Sequence, residues 1–351
     1  MPDSSGGTSR DLVVRGRVTS PLEAWTRHDV GMPEEERSGV RLTNLDQPLF
    51  ADAGVRKRDL VDYLDAVADR FVPVLAGRAL TVVRVRPGQA PFMQKNLAAY
   101  APESIPTLDI PTQDGKRTVH YPVCDDRATL LWFANQRAVE YHPTLYLGHA
   151  FDAPTHLVID LDPPAGADAF ARAVEGAVLV RKVLNDVGMT ALAKTSGAKG
   201  LHVVVPLAPG QPAMDVAAAT RAVAARAQLL DPKLTTTAFV VEERAGKVFL
   251  DATRAGGATL VAAYSPRVRP GVPVSFPVAW DDLAGASPAE FTIVTVPRLL
   301  GDADPWTTLM PPPQVLNRGL VEEGHTIPIA RVAAMHEGKR RARVRRRGSP
   351  G

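Results

Sequence analysis

The chain has a single cysteine, Cys124, in 351 residues. That scarcity excludes a disulfide within the chain and a cysteine-rich structural zinc site. No apolar run approaches the ~18 residues needed to span a bilayer. The opening Met-Pro-Asp-Ser-Ser-Gly-Gly lacks the basic and apolar regions of a secretory signal. These absences predict a cytoplasmic protein with no membrane partner. What is present is a composition of 45% hydrophobic and 23% charged residues, enough for a sizeable core in one large domain or two packed modules. The net charge of +3 is unevenly spread: residues 339–347 carry seven cations and no acid, which leaves the rest of the chain at −4. To approach a polyanion, such a body must use local basic patches, and this run is the densest of them. The alternative for the run is a solvated terminus that touches nothing specific.

Periodicity supplies the elements. Leu60, Tyr63, Leu64, Val67 and Phe71 recur at three- to four-residue spacing and predict a helix over 59–75. A strand is expected over 80–85 and a helix over 128–137, with His142 just beyond in a proline-containing loop. A second strong helix runs over 169–187, after the possible cap Asp168 and up to Gly188. Strands then follow at 191–195 and 201–206, a helix at 216–229, and strands at 248–251 and 259–263. Residues 1–9 read as disordered, and the Glu34–Arg37 cluster of the following extension reads as solvated surface. There is no internal repeat, and Pro311-Pro-Pro313 suggests a linker to the basic run. The succession of strand, helix, strand, strand, helix, strand matches the split βαβ pattern.

Three segments carry chemistry. In His156-Leu-Val-Ile-Asp160-Leu-Asp162, apolar Leu157, Ile159 and Leu161 alternate with Val158, Asp160 and Asp162, so an extended strand puts both carboxylates on one face. Paired carboxylates with a distant third, Asp251 of Lys247-Val-Phe-Leu-Asp251, suit a hard divalent cation that keeps a substrate phosphate in its shell. Such pairs also occur as solvated strand ends and turn formers. The third segment, Ser196-Gly-Ala-Lys199-Gly-Leu-His202, reads as a glycine-rich turn entering an apolar strand. Its backbone N–H groups, the Ser196 hydroxyl, Lys199 and His202 could face anionic phosphate oxygens. His202 alone reads equally well as a satisfied core histidine.

Asp160-Leu-Asp162-Pro-Pro, Ser196-Gly-x-Lys199-Gly-Leu-His202 and Val-Phe-Leu-Asp251 resemble the polymerase domain of bacterial ligase D, a branch of the archaeo-eukaryotic primase superfamily that fills gaps in non-homologous end joining. The likeness begins near Val40-Arg-Leu-Thr-Asn44, runs through Pro91-Phe-Met-Gln-Lys95 and Glu140-Tyr-His142-Pro143, and fades after about Leu300. It implies an α+β, archaeo-eukaryotic primase-like fold in which an RRM-like catalytic sheet packs with an N-terminal α/β module. The expected divisions are an N-terminal extension over 1–38, the α/β module over 39–150, the catalytic module over 151–300, and a linker with the basic tail over 301–351. By the same resemblance, Asp160, Asp162 and Asp251 ligate two Mg2+ or Mn2+ ions, and Ser196, Lys199, His202, His142 and Arg267 hold an incoming NTP or dNTP. Asn44, Lys57, Phe92, Lys95 and Arg244 are the expected DNA contacts.

The implied activity is template-dependent nucleotide addition at short gaps or aligned ends bearing a 5′-phosphate, with a preference for ribonucleotides. Ku and a separate DNA ligase are the implied partners, since the chain has no Lys-x-Asp-Gly ligase nucleophile motif. A nucleoid association follows from the same likeness. Some positions depart from the family pattern. Gln47 stands where a lysine is expected beside Asn44 and Lys57, and Met93 replaces a second aromatic beside Phe92. Ala258 replaces a lysine for which Arg254 or Arg267 could compensate. Alternative readings are a catalytically weak DNA-end-binding module, against which the intact aspartate set argues, and a metal-dependent nuclease, which the triphosphate motif disfavours.

Overall fold

The computed structural model describes residues 35–112, 115–150, 152–256 and 259–329. The basic run at 339–347, Ala258 and residues 1–34 lie outside the described residues. The described chain opens with an antiparallel hairpin of β1 (Glu35–Arg37) and β2 (Val40–Leu42), turned through Ser38 and Gly39 with φ of 49° and 75°. The division expected at residue 38 therefore falls inside a paired element. Nor is the acidic cluster merely solvated. Arg37 bonds Glu35 and lies 2.6 Å from Asp62, and Arg58 binds Glu35 at 2.5 Å, which fastens the hairpin to α1 (Lys57–Ala66).

The helix expected over 59–75 is two, α1 and α2 (Ala68–Leu75), reset at buried Val67, whose backbone leaves the helical region at φ −98°, ψ 1°. Then come β3 (Leu80–Arg84), β4 (Phe92–Gln94), the hairpin of β5 (Thr107–Pro111) and β6 (Thr118–Pro122), α3 (Arg127–Asn135) and β7 (Ala138–Pro143). Strands β4, β3 and β7 form one antiparallel sheet in that order. His142 thus lies in a strand and not in a loop. The misleading signal is Pro143, which a strand tolerates at an edge where no backbone donor is needed. The segment 259–263, expected as a strand, instead runs beside β7 through Leu260 N–H to Pro143 O (3.1 Å) and Ala262 N–H to Tyr141 O (3.0 Å), with no continuous ladder.

The second half holds β8 (His156–Asp162), α4 (Ala169–Asp186), β9 (Leu192–Thr195), β10 (Leu201–Pro206), α5 (Ala213–Leu230), β11 (Thr235–Thr236), β12 (Val248–Asp251) and β13 (Pro277–Val278). Their sheet order is β11-β12-β8-β10-β9-β13. The central four strands, β12-β8-β10-β9, are antiparallel and have the order that a split βαβ unit produces. The alternation along β8 decides its faces. Leu157, Ile159 and Leu161 are buried in the main core together with Ala173 and Ala177 of α4 and Ala219 and Val223 of α5, while Asp160 and Asp162 take the opposite face. That one core also includes Leu60, Phe71 and Tyr141, so the two halves share a continuous apolar interior. Tyr63 adds a polar tie across it, donating to Tyr264 O at 2.7 Å.

Three short helices close the described chain: α6 (Val296–Leu300), α7 (Pro305–Leu309) and α8 (Arg318–Thr326). Where a linker is expected, α8 instead docks on α5. Leu320 is fully buried, Arg226 binds Glu323 at 2.6 Å, and a Cβ at Gly324 would stand 1.8 Å from Ala218 O. Glycine and an alanine-rich partner let the two backbones touch, a pairing that loop-like proline content upstream does not reveal. No helix of the described residues is long and apolar enough to cross a membrane. Replacing Gly324 with alanine should destabilise the protein by about 2–3 kcal/mol, because overpacking here meets backbone and not a mobile side chain; a urea-unfolding midpoint equal to that of the wild type would refute this docking.

Candidate active site

Strand register places four polar residues in one row across the sheet. Asp160 on β8 is paired with Asp251 on β12 on one side and with His202 on β10 on the other, and His202 is paired with Lys194 on β9. Direct cross-strand partners present their side chains on one face, so pairing alone brings these groups together. Asp162 follows two residues on along the same face, opposite Phe249.

Each carboxylate has a cationic partner. Arg254 Nη2 stands 2.6 Å from Asp160 Oδ2 and 3.0 Å from Asp251 Oδ2. The other oxygen of Asp251 accepts from Thr253 N–H (2.8 Å) and from the Thr253 hydroxyl (2.6 Å), which fixes the turn that returns Arg254 to the site. Asp162 is shared between Lys199 at 3.1 Å and Arg244 at 3.2 Å, and the Arg244 guanidinium lies 3.9 Å from the centroid of the Phe249 ring. Burial would raise the Asp160 carboxyl, but His202 and Arg254 outweigh it and hold it well below the usual carboxylate range. His202 Nε2 lies 3.4 Å from Asp160 Oδ1. Burial, reinforced by Lys194, lowers His202 to about 4, so its ring is neutral near pH 7. Behind it Lys194 is fully enclosed, 2.8 Å from His202 Nδ1 and donating to Ser275 Oγ (2.7 Å) and Val261 O (2.9 Å). Burial pushes the Lys194 ammonium well below its ordinary value.

The turn from Ser196 to Gly200 owes its glycines to close approach. Gly197 has φ 69°, and a Cβ at Gly200 would lie 2.3 Å from Leu161 O on β8. Ser196 Oγ accepts from the N–H groups of Ala198 (3.3 Å) and Gly200 (3.2 Å), so it shapes the turn from within. His142 reaches the same cleft from β7, its Nε2 2.8 Å from Glu140 Oε2. The second Glu140 oxygen accepts from Val268 N–H (2.9 Å) and lies 3.1 Å from Arg267 Nε, while Arg267 bonds Ser196 O. Burial would raise Glu140, yet the His142 hydrogen bond, Arg267 and the Val268 N–H hold it down at about 2. The resulting cleft has a volume of about 390 Å³ and is lined by all three aspartates together with Ser196, Lys199, His202, His142, Arg244 and Arg267.

The residues expected to grip DNA, Arg244 apart, sit away from that cleft in the N-terminal half. Asn44 (φ 53°) begins a turn that also holds Gln47, which accepts from Arg137 Nη2 at 2.6 Å. Lys57 is not displayed to solvent as a phosphate ligand should be. It is 2% exposed, donates to Thr43 O (2.5 Å) and Asn135 Oδ1 (2.6 Å), and is lowered to about 8 by burial and by Arg137. Its ammonium braces the 43–47 turn. Phe92 is half-buried, with the guanidinium groups of Arg86 and Arg84 at 4.8 and 5.7 Å from its ring centroid; Met93 and Lys95 are exposed beside it.

Lys194, Arg254 and Glu140 carry geometry to which sequence reasoning gives no role or only a substitute one. A lysine inside the apolar strand 191–195 is a legible signal for the first. Glu140 stands two residues from His142, a spacing that becomes meaningful once β7 is known to be a strand. For Arg254 no sequence pattern indicates the return of its side chain to two carboxylates.

A split βαβ sheet with acidic residues gathered on its open face, beside a glycine-rich turn, is the arrangement of a primase-type nucleotidyltransferase. Residues 56–306 match the model of the LigD primase-polymerase domain. The chain is 37% identical over 263 residues to the multifunctional non-homologous end joining protein LigD of Mycolicibacterium smegmatis, and 34% identical over 262 residues to the bifunctional LigD of Bacillus subtilis. It is covered to 74% and 73% in these alignments but spans only 34% and 42% of those proteins. Among solved structures it is similar to the polymerase domain of Mycobacterium tuberculosis ligase D in complex with DNA, with a TM-score of 0.68, 32% identity, and coverage of 77% of this chain and 96% of that one. The chain belongs to the LigD primase-polymerase domain family, and the expected α+β fold stands.

Glu140 yields a test of the site's scaffold. Its folded value of about 2 lies below the ordinary glutamate value of about 4.3, so its stabilising effect is present above that ordinary value and fades as pH falls toward 2. Between about pH 5 and pH 2 the wild type should lose about 2–3 kcal/mol more stability than Glu140→Gln. Parallel pH profiles from chemical denaturation would overturn the network centred on Glu140.

Proposed function

We propose that the protein extends a primer 3′-hydroxyl opposite a template at short gaps or aligned broken ends, with Asp160, Asp162 and Asp251 holding two Mg2+ or Mn2+ ions. The observation that carries this reading is the register row that sets Asp160 against Asp251 and His202, with the glycine-rich turn from Ser196 to Gly200 beside it. Among the described residues, no three His, Cys, Asp or Glu side chains already stand in a metal-binding arrangement, and Asp162 is paired with Lys199 and Arg244. The donor set nonetheless fits. It consists of hard carboxylate oxygens, and one cationic nitrogen already sits between Asp160 and Asp251 at 2.6 and 3.0 Å. When bound, such ions lower the pKa of the attacking hydroxyl and neutralise the charge of triphosphate and departing pyrophosphate.

The chain's own residues supply placement. Lys199 and Arg244 are held at the mouth by Asp162 and are positioned to transfer their hydrogen bonds to phosphate oxygens, to which charge-assisted bonds are stronger than those between neutral groups. Neutral His202, whose Nδ1 faces Lys194, turns Nε2 toward the reacting face. Arg267 and His142 are fixed by Glu140 on the opposite wall. Positioning and charge stabilisation of this kind need no covalent protein nucleophile.

Asn44, Phe92 and Lys95 mark the side on which the DNA would rest, with Phe92 as the stacking ring; Lys57, enclosed and bonded to Thr43 O and Asn135 Oδ1, serves there only by bracing the turn that carries Asn44. Gapped or broken DNA, a ligase acting separately, and Ku are the proposed partners; in support of the first, the polymerase domain of M. tuberculosis ligase D is known in complex with DNA. A ribonucleotide preference follows if the pocket supplies hydrogen-bond partners to the 2′-hydroxyl.

Asp160→Asn, Asp162→Asn and Asp251→Asn should each reduce nucleotide addition on a gapped duplex by at least about 1,000-fold while circular dichroism stays native, since each removes a ligand charge and preserves shape. Extension persisting in a folded variant removes that aspartate from the ligand set. In single-turnover insertion opposite a matched template base, a ribonucleotide should be faster than its deoxy counterpart, and equal rates would remove the sugar preference while leaving the polymerase reading intact.

A further inference from the structure

Arg254 is held unusually for a structural arginine. A stable arginine–carboxylate pair uses two parallel N–H donors against the two oxygens of one carboxylate. Here a single nitrogen, Nη2, is shared between Asp160 Oδ2 and Asp251 Oδ2, while the buried Nε has no hydrogen-bond partner. One donor overused and another orphaned describe a side chain gripped for its charge and not for its shape. The grip is nevertheless prepared. Asp251 Oδ1 is occupied by the Thr253 N–H and hydroxyl, which turns the chain into the short 3₁₀ segment Arg254–Gly256 and directs its Oδ2 to Arg254. The side chain lines the cleft and is 28% exposed.

Its location is the point midway between the two carboxylates, which the proposed function gives to a divalent ion. Two cations cannot share that point, because like charges a few ångströms apart in a site of reduced dielectric repel strongly. We propose that Arg254 is a displaceable internal cation: it neutralises Asp160 and Asp251 in the metal-free protein, leaves when a divalent ion binds, and then engages the incoming triphosphate. This rests on the reading of Asp160 and Asp251 as metal ligands and extends it to a residue that the chemistry above leaves unused. The carboxylates nearby cannot take over the guanidinium once it leaves, since Asp162 already has Lys199 and Arg244 and Glu140 has His142 and Arg267. A triphosphate in the cleft supplies the missing anion.

Ion and nucleotide therefore bind with positive coupling. The ion alone must strand Arg254, the nucleotide alone finds it engaged, and only the pair leaves every charge matched. By reciprocity the same factor appears in either affinity.

The test is Mn2+ binding, followed by calorimetry and by the paramagnetic signal of free Mn2+, in wild type, Arg254→Gln and Arg254→Lys, with and without a non-hydrolysable nucleoside triphosphate. No primer is present, so turnover plays no part. Wild type should bind Mn2+ weakly alone and about tenfold more tightly with the nucleotide, a coupling in the usual range. Arg254→Gln should bind Mn2+ alone more tightly than wild type and lose most of the coupling. Arg254→Lys, which keeps the charge, should stay near wild type in the first measurement. A variant that fails a native melting check is replaced by Arg254→Met. Unchanged or weaker Mn2+ binding in the neutral variants, with coupling retained, overturns the proposal and leaves the metal ligands standing. Mn2+ binding that survives Asp251→Asn undiminished, or that is absent from every form even with nucleotide, overturns the ligand assignment and the proposal with it.

Discussion

The antiparallel pairing of β8 between β10 and β12 is the constraint on which the site depends. It is a backbone interaction, yet it decides which side chains meet: a slip of one residue would send Asp160 into the apolar core and bring Leu161 to the open face. The slip is prevented by Leu157, Ile159 and Leu161, whose burial against α4 and α5 rewards only the observed register. The apolar residues of β8 therefore hold the chemical ones in place from behind. The same logic reaches the turn from Ser196 to Gly200, where glycine lets the chain press against Leu161 O and start β10 in phase with β8.

The second organising feature is compensation of charge. Three carboxylates collected on one face repel one another, and the protein answers with the cations of Arg254, Lys199 and Arg244. Such a site is stable before any ligand arrives, which explains why so acidic a cluster can be tolerated within a folded interior. On the proposed function, phosphate binding and stability draw on the same contacts. A cation that leaves a carboxylate for a phosphate changes partner without losing its bond count.

Much of this is legible in the chain. Alternation assigns Asp160 and Asp162 to one face, the strand spans 201–206 and 248–251 coincide with β10 and β12, and the motif order leads to the family. What escapes the sequence has a common cause: each missed feature depends on a partner remote in the chain. His142 reads as a loop residue because Pro143 ends β7, but its strand is completed by β3 and by the segment 259–263. Lys57 reads as a surface cation because it is a lysine, whereas Asn135, 78 residues away, draws it inward. The proline-rich approach to α8 speaks for a linker, and only Gly324 against Ala218 shows a docked helix. Local composition records propensity, and burial of a charge is decided by whatever packs above it.

Arg267 joins walls that belong to different sheets. Its guanidinium touches Glu140 on β7 at one end and Ser196 O, just past β9, at the other, while its own N–H is tied to Pro273 O at 2.8 Å. The stem is wedged as well, since a Cβ at Gly197 would stand 2.6 Å from Arg267 Cγ. A rigid planar group clamped in this way acts as a gauge block, and the width of the cleft between the two sheets is set before anything enters it. The gap at the rear is therefore held at one span by a single side chain anchored on both walls. One cleft thereby joins a braced rear, where Arg267 spans two sheets, to a mouth where Lys199 and Arg244 meet at Asp162.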